Sequence, residues 1–194
     1  MSKILIPATK SITVSSKFPN RSFRKKIITI GFKKKYICNS CLFFDIGIIE
    51  SNYVKSAILT LFKTADFFFI SGIEFCVVPL LSPFSSSTTY NDCQQIDSKL
   101  AVKFLPFMRE VAVQIDITTI VNKWIDNTLP NYGLIIMGRR INLKESGCVS
   151  FGSAYNCDNT LIPLININYK PNIFCLLPPP PGLVCTTTLI EPKR

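Results

Sequence analysis

The sequence predicts an all-β domain, a β-sandwich that carries one short α-helix. Its composition is apolar and rich in Ile, Phe and Thr, with 13 prolines, which favours strands and loops over helices. Many short segments alternate apolar and polar residues, the period of a half-buried strand, and turn signals separate them. In one segment the hydrophobic period changes to that of a helix. A length of 194 residues suits one domain with tails.

Short alternating segments recur through the first half of the chain. Residues 11–15 place Ile12 and Val14 on one face of a first strand, and the Pro-Asn-Arg-Ser sequence at 19–22 predicts a turn. A Ser/Thr-rich loop at 82–89 follows the apolar strands. The strands predicted in this part are 11–15, 27–31, 40–46, 54–62, one or two within 67–78, and an edge strand within 100–104.

The hydrophobic period changes within the segment 111–137, around which we expect the core to form. Its first residues alternate and predict a half-buried strand. An apolar stripe at i, i+3, i+4, i+7 and i+8 then predicts a helix over about 118–126, with Trp124 facing the core. Asp116 or Thr118 can accept hydrogen bonds from its first turn. Later strands are predicted at 134–137, 148–151 and 161–169.

The C-terminal residues differ from the domain before them. Four consecutive prolines at 178–181 favour a stiff polyproline II spacer. The residues beyond it have strand character without a partner inside a finished domain, which suits pairing with another subunit. We therefore expect an N-terminal arm at 1–10, a sandwich at 11–170 and a Pro-rich, Cys-containing tail at 171–194. The candidate positions of a docking strand are Val184, Thr186, Thr188 and Ile190.

Charge is distributed unevenly along the chain. The formal net charge is +10, and ten lysines and arginines precede the first acidic residue, Asp45. Such a basic segment can bind nucleic acid or an anionic polymer. The same residues also bracket the apolar run 27–32, as expected for charged turns and for strand edges that block unwanted pairing.

No segment has the pattern of a secretion signal or a membrane span. The most apolar region, 57–81, is interrupted by Lys63, Asp66 and Glu74. We expect a leaderless protein without a membrane span, which is cytoplasmic or reaches a spore or cell surface by deposition.

The residue types needed for catalysis are scarce. Histidine is absent, which removes the commonest general base and the commonest nitrogen ligand of metal sites. No two acidic residues are nominated as a pair across a cleft. Cys38 and Cys41 form a C-x-x-C, but no second pair at matching spacing accompanies it. We therefore expect no catalytic residue, no metal site and no cofactor, and we do not expect an enzyme.

Eight cysteines raise the question of the redox state. Thiols stay reduced in the cytosol, whereas a protein deposited on an outer surface can oxidise later. Cys41 and Cys76 lie in apolar strands and are expected to be buried free thiols or to form disulfides. The candidates for intersubunit disulfides are Cys175, Cys185 and Cys38.

Carbohydrate binding usually depends on an exposed aromatic ring that stacks on a sugar. Three consecutive phenylalanines at 67–69 place at least one ring outward if they lie in a strand. The candidate glycan contacts are Phe68, Tyr90 and Tyr155.

The order of these segments resembles the DNRLRE domain family, over roughly residues 8 to 170. Three features of the family are missing: the literal string that names it, an acidic residue replaced here around Lys10, and a Trp near Pro83 and Phe84. The segments that carry the resemblance are 19–22, 28–31, 40–45, 56–59, 89–91, 115–118 with Trp124, 132–133, 150–153 and 163–169.

The resemblance implies a jelly-roll-like β-sandwich of bacterial surface and extracellular proteins, found beside enzymes or as a carbohydrate-binding module. Leaderless versions resemble those of spore-forming Firmicutes, in which the mother cell can lay proteins onto the spore.

These observations predict a non-catalytic structural protein that self-associates into a surface layer or filament on a bacterial spore or cell envelope. Its terminal segments would dock on a neighbouring sandwich, and disulfides would form after deposition. The expected partners are further copies of the chain, as a homo-oligomer or fibre, and a glycan or envelope polymer. The alternative function is a carbohydrate-binding module, and the second alternative is nucleic-acid binding through the basic N-terminal third.

Overall fold

A computed structural model describes residues 2–33, 35–49, 53–68, 72–92, 95–106, 110–141 and 147–170. It confirms the all-β class and the short helix predicted from the sequence. The strands and the α-helix are β1 (Ser2–Ser15), β2 (Ser22–Phe23), β3 (Ile27–Lys33), β4 (Tyr36–Phe44), β5 (Tyr53–Phe68), β6 (Ile73–Pro79), β7 (Val102–Phe104), β8 (Ala112–Asp116), α1 (Thr118–Ile125), β9 (Leu134–Arg140), β10 (Gly147–Gly152) and β11 (Leu164–Lys170). Short 3-10 helices lie at Gly47–Ile49, Tyr90–Asp92, Ser98–Leu100 and Asn159–Leu161.

Two long strands, β1 and β5, each take part in more than one antiparallel ladder. The first half of β1 pairs with β11 and its second half with β4, with a shift of register between Ala8 and Lys10. The first half of β5 pairs with β11 and β8, and its second half with β10. The ladder closes in the order β1, β11, β5, β10, β3, β4 and back to β1. The sheet therefore has barrel-like closure where the sequence predicted a jelly-roll-like sandwich.

The remaining large strands extend from this ring. β9 pairs with β4, β6 with β9, and β7 with β6. β8 pairs with β5. Within the described ranges β7 and β8 therefore each end a sheet, and their outer edges pair with no strand.

The main core combines residues of the ring strands with residues of β6, β7, β8 and β9, and α1 packs against them. Ile120, Val121 and Trp124 of α1 are buried, with Trp124 only 4% exposed, as its position on the apolar stripe predicts. The Thr118 hydroxyl accepts from the Ala57 N–H at 2.9 Å, which fixes the start of the helix to β5. The Thr118 N–H in turn donates to Asp116 Oδ1 at 2.9 Å.

The expected N-terminal arm at 1–10 does not form a separate segment. Residues from Ser2 onward belong to β1 and pair with β11, from Ser2 opposite Tyr169 to Pro7 opposite Leu164. Ile6 is buried in the main core. The domain boundary expected at residue 11 thus falls inside a continuous strand.

A second apolar cluster covers the outer face of β1, β4, β6 and β9. This cluster explains why the second half of β1 is buried on both faces. Its buried members are Ile12, Val14, Cys41, Val78, Leu80 and Ile135, and Phe84, Tyr90, Ile96 and Tyr132 pack against them.

Candidate functional site

Two concave regions of the surface are candidates for binding. The edge groove lies between the terminal strands β7 and β8, has a volume of about 720 Å³ and is lined by residues 102–105 and 110–116. The N-terminal pocket lies between the hairpins β1–β2 and β3–β4, has a volume of about 410 Å³ and is lined by Thr13, Ser15, Lys17, Phe18, Phe23, Lys25, Ile27, Thr29, Tyr36 and Cys38.

The backbone of β8 presents unpaired polar groups to the edge groove. The Lys63 N–H donates to the Val111 carbonyl and the Ile117 N–H to the Ala57 carbonyl, both at 2.9 Å, so odd-numbered residues direct their backbone groups toward β5. Successive residues of an antiparallel strand alternate the edge to which their N–H and C=O groups point. Ala112, Gln114 and Asp116 therefore direct theirs toward the edge groove.

The edge groove has buried apolar side chains at its base and both apolar and polar side chains at its rim. Phe104, Val113 and Ile115 are buried beneath it and belong to the main core. Leu105 is 55% exposed and Val111 is 76% exposed at its rim. The groove thus combines an open backbone edge with apolar surface, the two features that strand addition requires.

Buried hydroxyl groups below the N-terminal pocket hold β1, β3 and β4 together. The Ser40 hydroxyl donates to the Thr29 carbonyl at 3.0 Å, and the Thr29 N–H donates to Thr13 Oγ1 at 3.4 Å. Thr13 Oγ1 lies 2.8 Å from Ser40 Oγ, and since the Ser40 proton is already committed, Thr13 donates in this bond. The three bonds form a closed hydroxyl ring through the backbone of Thr29.

Aromatic rings and lysines form the walls of the N-terminal pocket. Phe18 and Phe23 meet edge to face, with 5.8 Å between their ring centroids. Lys17 Nζ lies 5.2 Å from the centroid of Phe18 and 5.6 Å from that of Tyr36, and Lys25 Nζ lies 5.4 Å from that of Phe23. These distances allow cation–π attraction.

The structure describes the surroundings of two of the three residues predicted to contact a glycan. Tyr90 is partly buried against the second apolar cluster. The ring of Tyr155 lies 4.6 Å from the Arg24 guanidinium in a shallow depression. Nothing is described of the Phe68 side chain.

Of the predicted disulfide and docking residues, Cys38 is described by the structure and the others are not. Cys38 is half-buried in β4, and its thiol donates to Ser15 Oγ at 3.5 Å. Cys175, Cys185 and the docking positions Val184, Thr186, Thr188 and Ile190 lie outside the described residues.

The described thiols differ in their expected reactivity. Cys41 is fully buried and Cys157 is exposed. Burial raises the pKa of the Cys41 thiol to about 12. Burial, and to a lesser extent the nearby Glu74, also raises the pKa of Cys76. The two partners of the C-x-x-C motif therefore lie in different environments, since Cys38 lines a pocket and Cys41 lies in the second apolar cluster.

A search for metal-binding clusters among the described residues finds no group of three or more His, Cys, Asp or Glu side chains. No helix in the part of the chain that the structure describes has the length and hydropathy to cross a membrane. A scan against protein-family models gives no match, and a search of curated proteins gives none either.

Sequence reasoning missed both concave regions. The N-terminal pocket had a local signal, because Lys17-Phe18, Phe23-Arg24-Lys25 and Lys35-Tyr36 interleave aromatic and basic residues. The edge groove had none, because it depends on which strands remain without a partner.

Proposed function

We propose that this protein is a non-catalytic structural subunit that self-associates into a filament or layer by strand donation. The observation that supports this function best is the edge groove, in which two unpaired strand edges flank exposed apolar surface. The donor in this scheme is the tail segment that contains Val184 to Ile190, and the acceptor is the edge groove of another copy.

The composition of the tail suits the role of donor. The seven residues Val-Cys-Thr-Thr-Thr-Leu-Ile at 184–190 are rich in β-branched side chains, which favour strands. Extended at about 3.3 Å per residue they cover roughly 23 Å, more than the five residues of β8. In this scheme the four prolines at 178–181 serve as a stiff spacer between the domain and the donor.

In this scheme the acceptor is the groove of a second copy of the chain. The tail follows Lys170 at the end of β11, which lies between β1 and β5. β5 in turn separates β11 from β8. Because only β5 lies between β11 and β8, residues 171–183 are long enough to reach either the groove of the same copy or that of a neighbour, and mixing of variants distinguishes the two cases. Because donor and acceptor are different surfaces, the contacts are head-to-tail, and they grow a fibre where the rotation between copies does not close into a ring.

Two further parts of the scheme extend it beyond the groove. Oxidation of Cys175, Cys185 or Cys38 would fix docked copies covalently after deposition on a bacterial spore or cell surface. We also propose that the fold is related to the DNRLRE-type jelly-roll. Its support is the division of the ladders between two groups of strands that share β1 and β5.

Two variants, one that lacks the donor and one with a disabled acceptor, test this function. Deletion of residues 171–194 removes the donor. Gln114→Pro removes a backbone N–H that points into the edge groove and leaves the bonds of β8 to β5 in place, because proline is tolerated at such edge positions. Gln114→Ala is the matched control, since it changes the same side chain and keeps the N–H.

We expect the wild type and Gln114→Ala to form large species, and each disabled variant alone to stay monomeric, as measured by light scattering after gel filtration. A mixture of the two disabled variants should form a dimer of one copy each, because the intact donor of one fits the intact groove of the other. Monomers in that mixture would contradict donation between copies. A wild-type chain that remains monomeric in oxidising buffer, and is retarded in polysaccharide gels, would instead support the carbohydrate-binding module.

A further inference from the structure

The N-terminal pocket contains groups that self-association through the edge groove does not use. We propose that this pocket binds a small aromatic anion, that is, a flat ring that carries a carboxylate or a phosphate. The site is formed by β1, β2, β3 and β4, and its lysines and aromatic rings take no part in strand donation, although its lining includes Cys38, one of the candidates for an intersubunit disulfide.

The positive charge of the pocket is not neutralised by the protein. Within the described ranges neither Lys17 nor Lys25 lies within 4 Å of a carboxylate, and the lining contains no acidic residue. Both ammonium groups face aromatic rings instead. Two unpaired cations on one pocket favour an anionic ligand.

The rings that form the walls remain accessible. Phe18 is 42% exposed and Tyr36 is 38% exposed, although large apolar side chains are usually covered where a fold allows it. Together with Phe23 they offer ring faces and edges for offset stacking or edge-to-face contact with a flat ligand. The lysines beside them then lie close enough to bind a charged group attached to that ligand.

A buried donor at the floor completes the site. Ser15 is 6% exposed, and its hydroxyl oxygen accepts from the Lys17 N–H at 3.3 Å and from the Cys38 thiol. Among the described residues the one acceptor beside the Ser15 O–H is the Cys38 sulfur, which is a weak acceptor. A buried donor normally has an acceptor, and an oxygen of a bound anion supplies one.

The lining favours an aromatic anion over a sugar. A sugar presents several neighbouring hydroxyl groups, each of which needs donors and acceptors. The pocket contains no Asp, Glu, Asn, Gln or Arg side chain, and the hydroxyl of Thr13 is already used in the hydroxyl ring. A volume of about 410 Å³ lies in the range of small-molecule sites and accommodates one ring with its substituent.

Isothermal titration calorimetry on the full chain tests the assignment. The aromatic anions are benzoate and phenyl phosphate, which distinguish a carboxylate from a phosphate ligand. Cyclohexanecarboxylate keeps the charge without the flat ring, inorganic phosphate keeps the charge alone, and glucuronate represents an acidic sugar. We expect at least one aromatic anion to bind about two- to twelvefold more tightly than all three of these, the range that aromatic contacts contribute.

Substitutions of exposed lysines distinguish binding in the pocket from attraction to the overall positive charge of the protein. Lys17→Gln and Lys25→Gln should each weaken binding of the aromatic anion, and added salt should weaken it further. Lys99→Gln makes the same charge change on the 3-10 helix Ser98–Leu100, outside the pocket, and should leave binding unchanged. Equal binding of cyclohexanecarboxylate, preferred binding of glucuronate, equal loss in Lys99→Gln, or no binding of either aromatic anion at about 1 mM would each overturn the assignment.

Discussion

The hydroxyl ring of Thr13, Thr29 and Ser40 makes a quantitative prediction about stability. Ser40→Ala removes the bond to the Thr29 carbonyl and the bond to Thr13. Thr13→Val keeps the shape of the side chain and removes the bond to Ser40 and the bond from the Thr29 N–H. Ser40 is 0% exposed and Thr13 is 7% exposed, so water does not readily replace the lost partners. Each single change should cost about 2 kcal/mol, from two lost bonds at about 1 kcal/mol each.

The double variant should cost less than the sum of the single variants. The two substitutions share the bond of 2.8 Å between Thr13 and Ser40, so the pair together loses three bonds rather than four. We therefore expect a cost of about 3 kcal/mol and a coupling energy of about 1 kcal/mol. Urea unfolding measures these free energies through the fluorescence of Trp124, the chain's one tryptophan, which is buried in the core.

A second cycle provides the control. Ser150 Oγ lies 3.3 Å from the Thr29 side-chain hydroxyl and takes no part in the hydroxyl ring. Ser150→Ala and Thr13→Val should therefore be additive within about 0.5 kcal/mol. Additivity of Thr13→Val with Ser40→Ala to the same precision would refute the closed ring.

Two further predictions concern the thiols and the acidic turns. Iodoacetamide at pH 8 should label exposed Cys157 quickly and Cys41 only after unfolding, because a pKa of about 12 leaves about one thiol in ten thousand ionised; fast labelling of native Cys41 would contradict its burial. Hydrogen bonds from the side chain and then the backbone of Thr160 lower the pKa of Asp158, so its contribution to stability is present above the ordinary Asp pKa and is lost as the pH falls through the lowered value. Carboxyl NMR titration should give a low midpoint that rises in Thr160→Val, and an unchanged midpoint would exclude this cause.

Local patterns predicted the elements whose structure depends on neighbouring residues. The apolar stripe predicted a helix at about 118–126, and α1 covers Thr118–Ile125 with Trp124 buried. Here the sequence period and the tertiary contacts agree, since one stripe of the helix faces the core.

Features that depend on pairing between strands far apart in the sequence could not be predicted from local patterns. The first residues of β1 contain Pro7 and a lysine, and only their register with β11 makes them a strand. The prediction ended a strand at residue 62, whereas β5 continues to Phe68 because β10 pairs with its second half.

The candidate sites were predictable to different degrees for the same reason. The residues that line the N-terminal pocket all lie between Thr13 and Cys38 in the sequence, and two hairpins bring them together. The edge groove exists because β7 and β8 lack outer partners in the described part of the chain, and a linear sequence does not reveal a missing partner.

The pairing of β1 with β11 determines when the fold can be completed during synthesis. Ser2 lies opposite Tyr169, so β1 gains this neighbour only after β11, the last strand that the structure describes, has been synthesised. Until then Ile4 and Ile6 lack the strand beside them. Closure of the ring therefore needs both ends of the described domain, and a chain interrupted before residue 164 would leave this edge of β1 open.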